Sequence, residues 1–391
     1  VAFAIAMGVI GMVGFRWNAR DPIFRVRGFS MAPTFYGDHR TVSCPDCESE
    51  TKISELRLAA QATPARSIKC WHCGHEIELS RDPNLVNHEP GDLIQVTATS
   101  SLAIGDVVAV NIDGRMRVKR ILGLPGDRVA VDQRRLLVNG SRLEAILEAT
   151  NFPSAAPLID VDVDRRRTES RWSPAADASN WARSKGHWTS RANDGVVDWL
   201  VYHHQAVHQH SRPSAIYDDY PCNVDVIRQL DPVDQLAIAV TLASAARVEV
   251  AFFTDAGIRV AIQTLAANES RTIRIVDAAG LVPLDAIAPA VLTAQTPIAI
   301  RVHDIPARTG DVVEGIQLRA LIVQRSVEYR LRQRDSGANY PRQLGANECF
   351  VVGDNVPISV DSREFGPVPI DDIVGVVSRA SPDTHPWIYR D

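Results

Sequence analysis

The chain has no surplus of positive charge. Its 42 Lys and Arg stand against 47 Asp and Glu in 391 residues, a formal net charge of −5, so there is no broad electrostatic footprint for nucleic acid and no nucleic-acid partner is expected. Cysteine is sparse: there are six. Cys44, Cys47, Cys70 and Cys73 form two C-x-x-C pairs and read as a metal site. Cys222 and Cys349 stand alone, as two separately buried thiols or, in an oxidising compartment, as a disulfide. No apolar run reaches the roughly 20 residues of a full membrane span. The nearest, "VAFAIAMGVIGMVGF" at 1–15, is uncharged, and Arg16, Trp17, Asn18 and Arg20 follow it in place of a small-residue cleavage site. We expect a membrane anchor over 1–17, in contact with lipid, whose remaining residues precede Val1. Arg16, Arg20, Arg25 and Arg27 after the run would put that side in the cytoplasm by the positive-inside tendency, although residues before Val1 could reverse the count.

What is present is mostly β pattern. A chain of this length exceeds one efficient core, so two or three domains are expected. "DLIQVT", "GDVVAVNI", "MRVKRILGL", "DRVAVD" and "RLLVNG" are short β-branched runs separated by Gly-Asp or Asn-Gly turns. The pattern loosens from about 150 to 200, where the sequence is polar and sprinkled with tryptophan. It tightens again in "QLAIAVTL", "RVEVAFFT", "GIRVAIQT", "RTIRIVD", "IAIRVHD" and "GIQLRALIVQRSVEYRL", which read as strands at sandwich spacing. The stretch 345–380 returns to the first style. The expected organisation is a catalytic β domain in three pieces, 22–43, 84–150 and 345–380, split by a cysteine module at 44–79 and a sandwich-like antiparallel domain at 155–332.

Three blocks hold residues suited to chemistry. "GFSMAPTF" places Ser30 beside Gly28 and Met31 in a turn-rich run, which alone is weak evidence, since Ser, Gly and Pro are ordinary turn residues. "VKRILGLPGD" ends a strand with Lys119 and Arg120, and period-2 alternation sends one of the two inward. A lysine in an apolar setting has a lowered pKa and can take a proton from a hydroxyl near neutral pH. "GDNVPISVDSREFG" crowds Asp354, Asn355, Ser359, Asp361 and Arg363 into a few positions, with Ser359, Asp361 and Arg363 expected on one strand face.

In this order, these blocks resemble type I signal peptidases, the membrane-bound serine-lysine leader peptidases; "GDVVAV" at 105–110 and "LLVNGSRLE" at 136–144 fit as well. The resemblance covers the anchor, about 24–44, about 90–147 and 345–378. It implies that Ser30 is the nucleophile, Lys119 its general base, and Ser359 the hydroxyl that holds the lysine. Asp361 and Arg363 would be the supporting pair, and the Ser30 N–H part of the oxyanion hole. Some relatives carry a serine as second oxyanion donor at the position of Gly28. No cofactor is needed for that catalysis. The substrates implied are secretory precursors with leader peptides, and the catalytic domain would face away from the cytoplasm. Two other functions stay open: a self-cleaving regulatory protease with the same dyad, and a non-catalytic membrane scaffold binding partners through the cysteine module and β domain.

"CPDC" and "CWHCGHEI", 22 residues apart, are close to the spacing of a four-thiolate zinc ribbon. Four thiolates close the shell of Zn²⁺, so Cys44, Cys47, Cys70 and Cys73 are expected to bind structural zinc, with His72 and His75 as bystanders. In an oxidising compartment two disulfides are the alternative. "YHHQAVHQH" gathers His203, His204, His208 and His210 without an acidic partner at a defined spacing, which favours packing or surface roles.

Overall fold

The computed structural model describes residues 21–59, 67–79, 86–149, 157–163, 170–191, 198–207, 212–224, 226–278, 280–282, 292–304 and 315–380. The anchor expected at 1–17 lies outside them, as do His208 and His210. Among the described residues no helix is long and apolar enough to cross a membrane. The described chain is mostly β.

A seven-stranded antiparallel sheet draws on both ends of the chain. Its order is Ile23–Arg25, Leu93–Thr97, Ile373–Arg379, Val107–Ile112, Arg115–Gly123, Glu348–Val352 and Val368–Pro369. Ile373–Arg379 pairs with Leu93–Thr97 on one side and Val107–Ile112 on the other, so the sheet is completed only by residues that follow the long interruption. A four-stranded sheet, from Arg128–Asp132, Arg135–Val138, Ser141–Arg142 and Arg342–Gln343, shares a core with it through Leu122, Val129, Val138 and Val352. The Gly-Asp pairs are the turns between these strands. The Asp106 carboxylate accepts the Ala103 N–H at 2.8 Å, and Asp127 accepts the Leu124 N–H at the same distance, the local side-chain capping that makes Asp a turn residue.

The interruption is a sandwich of two six-stranded sheets. One contains Trp181–Ser184, His187–Ser190, Ile316–Ser326, Leu236–Leu242, Ser270–Arg274 and Leu158–Val163; the other Trp172–Pro174, Leu200–Tyr202, Ile298–Asp304, Ala246–Thr254, Gly257–Leu265 and Leu281–Val282. Both contribute to one buried cluster, with Ile238, Val240 and Val323 from the first and Leu200, Val250 and Ile300 from the second. The polar stretch before 200 is part of it: Trp172, Trp181 and Trp188 lie on three short strands and are buried in that core. Single tryptophans separated by polar residues hid these strands from a reading based on apolar runs. Leu158–Val163 and Ile316–Ser326 pair antiparallel, so the chain enters and leaves the sandwich at one place. This is the geometry that lets a domain be inserted without opening its host.

The cysteine module consists of two hairpins. His39–Ser43 pairs with Glu50–Ser54 and with Val86–Glu89, and Ser67–Lys69 pairs with Glu76–Glu78. Both knuckles turn alike. The Cys44 carbonyl accepts the Glu48 N–H at 2.9 Å and the Cys70 carbonyl accepts the Gly74 N–H at 3.0 Å, with Glu48 and Gly74 at φ of 58° and 80°.

Candidate active site

Ser30 lies where two cores meet. Around it, Phe29 and Ala32 enter the core that holds Leu122 and Val352, whereas Met31 and Phe35 enter the one that holds Val96 and Val107. Each large apolar side chain so buried contributes about 1.5–3 kcal/mol, and together they fix the turn on which the partly exposed Ser30 is carried. The base of the turn is closed by contact: a Cβ on Gly37 would stand 2.0 Å from the Arg27 carbonyl oxygen, so only glycine allows that approach. The next residue, Asp38, accepts the Gly91 N–H at 2.8 Å. Gly28, by contrast, has open space around a would-be Cβ.

Lys119 Nζ lies 3.0 Å from Ser30 Oγ. The lysine is 2% exposed, and burial lowers its pKa from 10.5 to about 8, with Asp361 pulling the other way and Arg117 and Arg363 adding to the depression. Alternation placed one of Lys119 and Arg120 inside; the structure buries both. The strand is covered on two faces, Leu122 joining the core with Phe29 and Ile121 the core with Val108 and Cys349. Arg120 meets Asp354 in a two-pronged ion pair, Nε and Nη2 at 2.8 and 2.6 Å from the carboxylate, and its Nη1 donates to the Gly105 carbonyl at 2.8 Å. Burial opposes that charge, but Asp354 outweighs it and holds the guanidinium pKa above its ordinary value. The Tyr329 hydroxyl donates to the same carboxylate at 2.7 Å, and Thr34 Oγ1 donates to it as well.

The block 353–363 packs against the serine. The Asn355 N–H donates to the Ser30 carbonyl at 3.0 Å. A Cβ on Gly353 would stand 2.4 Å from that carbonyl oxygen and 2.1 Å from Ser359 Oγ, so this glycine is required for close approach. Ser359 is fully buried, and its hydroxyl completes no well-aligned hydrogen bond among the described residues. It lies near the Asp361 carboxylate and helps hold that group ionised. Asp361, Ser362 and Arg363 were expected on a strand. Instead Ser362–Phe365 is a helical turn, with Asp361 as its N-cap accepting the Arg363 N–H and Gly366 closing it. Asp361 and Arg363 still pair, at 2.8 and 2.7 Å. Burial raises the Asp361 pKa, but Arg363 and the Gly353 N–H outweigh it, so the net shift is downward. Arg363 also reaches the Val356 and Arg330 carbonyls, at 3.0 and 2.9 Å.

A model of the family described as signal peptidase, peptidase S26, matches residues 1–173 and 313–380. The chain belongs to the signal peptidase S26 family. No curated protein matches it. Every residue of the Ser30–Lys119 cluster described so far lies within the part matched by the signal peptidase model, whereas 174–312, most of the sandwich, lies outside it.

The four module cysteines are the only group of three or more metal-ligating side chains among the described residues that could hold an ion. Cys44 and Cys73 sulfurs are 3.6 Å apart, Cys47 and Cys70 sulfurs 3.5 Å, and all four lie within 4.8 Å of one another. The edge of a tetrahedron with 2.3 Å zinc–sulfur bonds is about 3.8 Å, so the donor set fits a tetrahedral thiophilic ion. Among the described residues the histidines do not form a second set: His203 Nε2 is 2.9 Å from Ser173 Oγ and His204 Nδ1 is 3.1 Å from the Tyr202 hydroxyl. Cys222 and Cys349 are both buried free thiols.

Sequence reasoning passed over Arg120, Tyr329 and Thr34 as site residues, and also Tyr220 and Asn223. For Arg120 the signal was its place beside Lys119. Tyr220 is buried, and its hydroxyl donates to the Asp354 carbonyl at 2.8 Å.

Proposed function

We propose that the protein is a membrane-anchored serine endopeptidase of the signal peptidase I type, removing N-terminal leader peptides from secretory precursors on the extracytoplasmic side. The observation that carries this reading is the 3.0 Å approach of a buried lysine amine to Ser30 Oγ. Neutral Lys119 accepts the Ser30 proton as Oγ attacks the scissile carbonyl, and the tetrahedral intermediate collapses as the ammonium returns that proton to the leaving amine. Lys119 then activates water, which releases the acyl group from Ser30. The backbone N–H of Ser30 is the expected oxyanion donor. Asp361 and Arg363, tied to the Gly353 N–H and the Val356 carbonyl, hold the 353–363 corner against the serine. Ser359 would supply the hydroxyl that steadies the lysine.

Cys44, Cys47, Cys70 and Cys73 would hold a structural Zn²⁺. Four thiolates leave no open position on the metal, so the ion braces the hairpins and takes no part in the hydrolysis.

A leader-bearing precursor incubated with detergent-solubilised protein tests the proposal. Ser30→Ala and Lys119→Ala should each reduce cleavage by about 10³-fold or more, the scale of removing a nucleophile or its base. Wild-type rates in either variant would end it.

A further inference from the structure

We propose that Tyr220 and Asn223, carried by the inserted sandwich region outside the family match, are positioning residues for the Ser30 nucleophile; the proposal rests on the reading of Ser30 and Lys119 above. Both lie on one tight turn, in which the Asn223 N–H donates to the Tyr220 carbonyl at 2.9 Å. From that turn five hydrogen bonds reach the corner at Asp354, Asn355 and Val356. The Tyr220 hydroxyl donates to the Asp354 carbonyl at 2.8 Å and accepts the Val356 N–H at 3.4 Å. The Asn223 and Asn355 side-chain amides exchange two hydrogen bonds, Asn223 Nδ2 to Asn355 Oδ1 at 2.7 Å and Asn355 Nδ2 to Asn223 Oδ1 at 3.0 Å. Cys222 Sγ also accepts from Asn355 Nδ2, at 3.6 Å.

What makes this more than a domain contact is where Asn355 points its backbone. Its N–H holds the Ser30 carbonyl at 3.0 Å, so the insertion and the nucleophile grip the same residue from opposite ends. Tyr220, Asn223 and Asn355 are 3%, 5% and 0% exposed, so water cannot replace a lost partner and the corner must shift to find another. The turn is itself anchored to the sandwich: Arg325, on the strand Ile316–Ser326, stacks over the Tyr220 ring at 5.0 Å and donates to the Asp219 carbonyl. The inserted domain thus completes the scaffold of the reaction centre, and a displacement of the Tyr220–Asn223 turn passes through Asn355 to Ser30.

Tyr220→Phe keeps the ring stack on Arg325 and removes one hydroxyl; Asn223→Ala removes the amide pair. Each is measured for kcat and KM on a leader-bearing precursor, per active site titrated with an alanyl peptide aldehyde, alongside Tm. Ile227→Ala, at a fully exposed position of the same loop, is the control. Each variant should lose about tenfold in kcat per titrated site with KM retained, as expected for a small misplacement of a reacting group, beyond the modest fall in Tm that stranding a buried partner brings, and Ile227→Ala should match wild type. Wild-type kcat in both variants, or losses that only follow a lowered Tm and titratable fraction, would overturn the proposal while a dead Ser30→Ala leaves the parent reading standing. A Ser30→Ala enzyme that still cuts would overturn both.

Discussion

Lys119 and Arg120 are neighbours on one strand, equally buried, and treated in opposite ways. Arg120 is matched by the Asp354 carboxylate, the Gly105 carbonyl and, through Asp354, Tyr329 and Thr34. Lys119 meets a hydroxyl, and among the described residues no carboxylate pairs with it. The difference follows from what each charge is for. A buried ion is tolerated when geometry and hydrogen bonds compensate it, as on the Arg120 side. Left without a partner, the group reduces its charge by shifting its pKa, which turns a lysine into a base. On the proposed reading one strand carries a structural cation and a reactive amine side by side, and the separation depends on Asp354 being committed to Arg120.

Swapping each cation for a neutral side chain of similar length should separate the two roles most sharply. Lys119→Met should lower kcat/KM for a precursor by about 10³-fold, within the range for loss of a general base, and leave the fold intact in circular dichroism and thermal melts. Arg120→Met strands Asp354 in the core. Removing one partner of a buried pair costs about 3–5 kcal/mol, so the protein should melt far earlier or fail to express. Equal stability losses in the two variants would erase the distinction drawn here.

The pH dependence separates the sides next. Because Lys119 must be neutral to accept a proton, kcat/KM should rise with pH through a midpoint at about 8. Stability moves in the same direction. The folded-state pKa lies below the 10.5 of an unfolded lysine, so between those values the unfolded chain binds more protons and the native state gains as pH rises. Lys119→Met removes that burden: its Tm should exceed wild type below pH 8, and the gap should close as pH climbs through 8 towards 10.5. A pH-independent gap would mean that the lysine is not held against its charge.

Much of this site could be read before any fold was known, and the boundary has a physical cause. Ser30, Lys119 and the 353–363 block could be picked out because their chemistry lies in short, ordered motifs, and the module cysteines because ligand spacing is local. The sandwich strands after 235 were legible from period-2 alternation. The burial of Arg120 was not, because covering a strand on both faces requires knowing which layers stack on it. The helical turn at Ser362–Phe365 did have a local signal in Asp361 followed by Gly366, an N-cap and a closing glycine, which an alternation reading overrode. Tyr220 and Asn223 had none, since their partners lie more than 130 residues away and nothing local in "DDYPCN" specifies them.

The mildest change tests the Arg120 side on its own. Tyr329→Phe keeps the ring in its core and removes the hydroxyl that donates to Asp354 at 2.7 Å. Asp354 keeps both prongs of Arg120 and the Thr34 hydroxyl, so its charge stays compensated and only one charge-assisted bond is lost, about 1.5 kcal/mol of stability. The hydroxyl is neutral and is not among the groups that shift Lys119, so the midpoint of the pH–rate profile should stay at about 8. Urea melts and pH–rate profiles on the same preparation would read both quantities. If the midpoint moved, the Tyr329 hydroxyl would be controlling how strongly Asp354, whose charge already raises the Lys119 pKa against the effect of burial, is felt across the strand, and the two cations could not be treated separately.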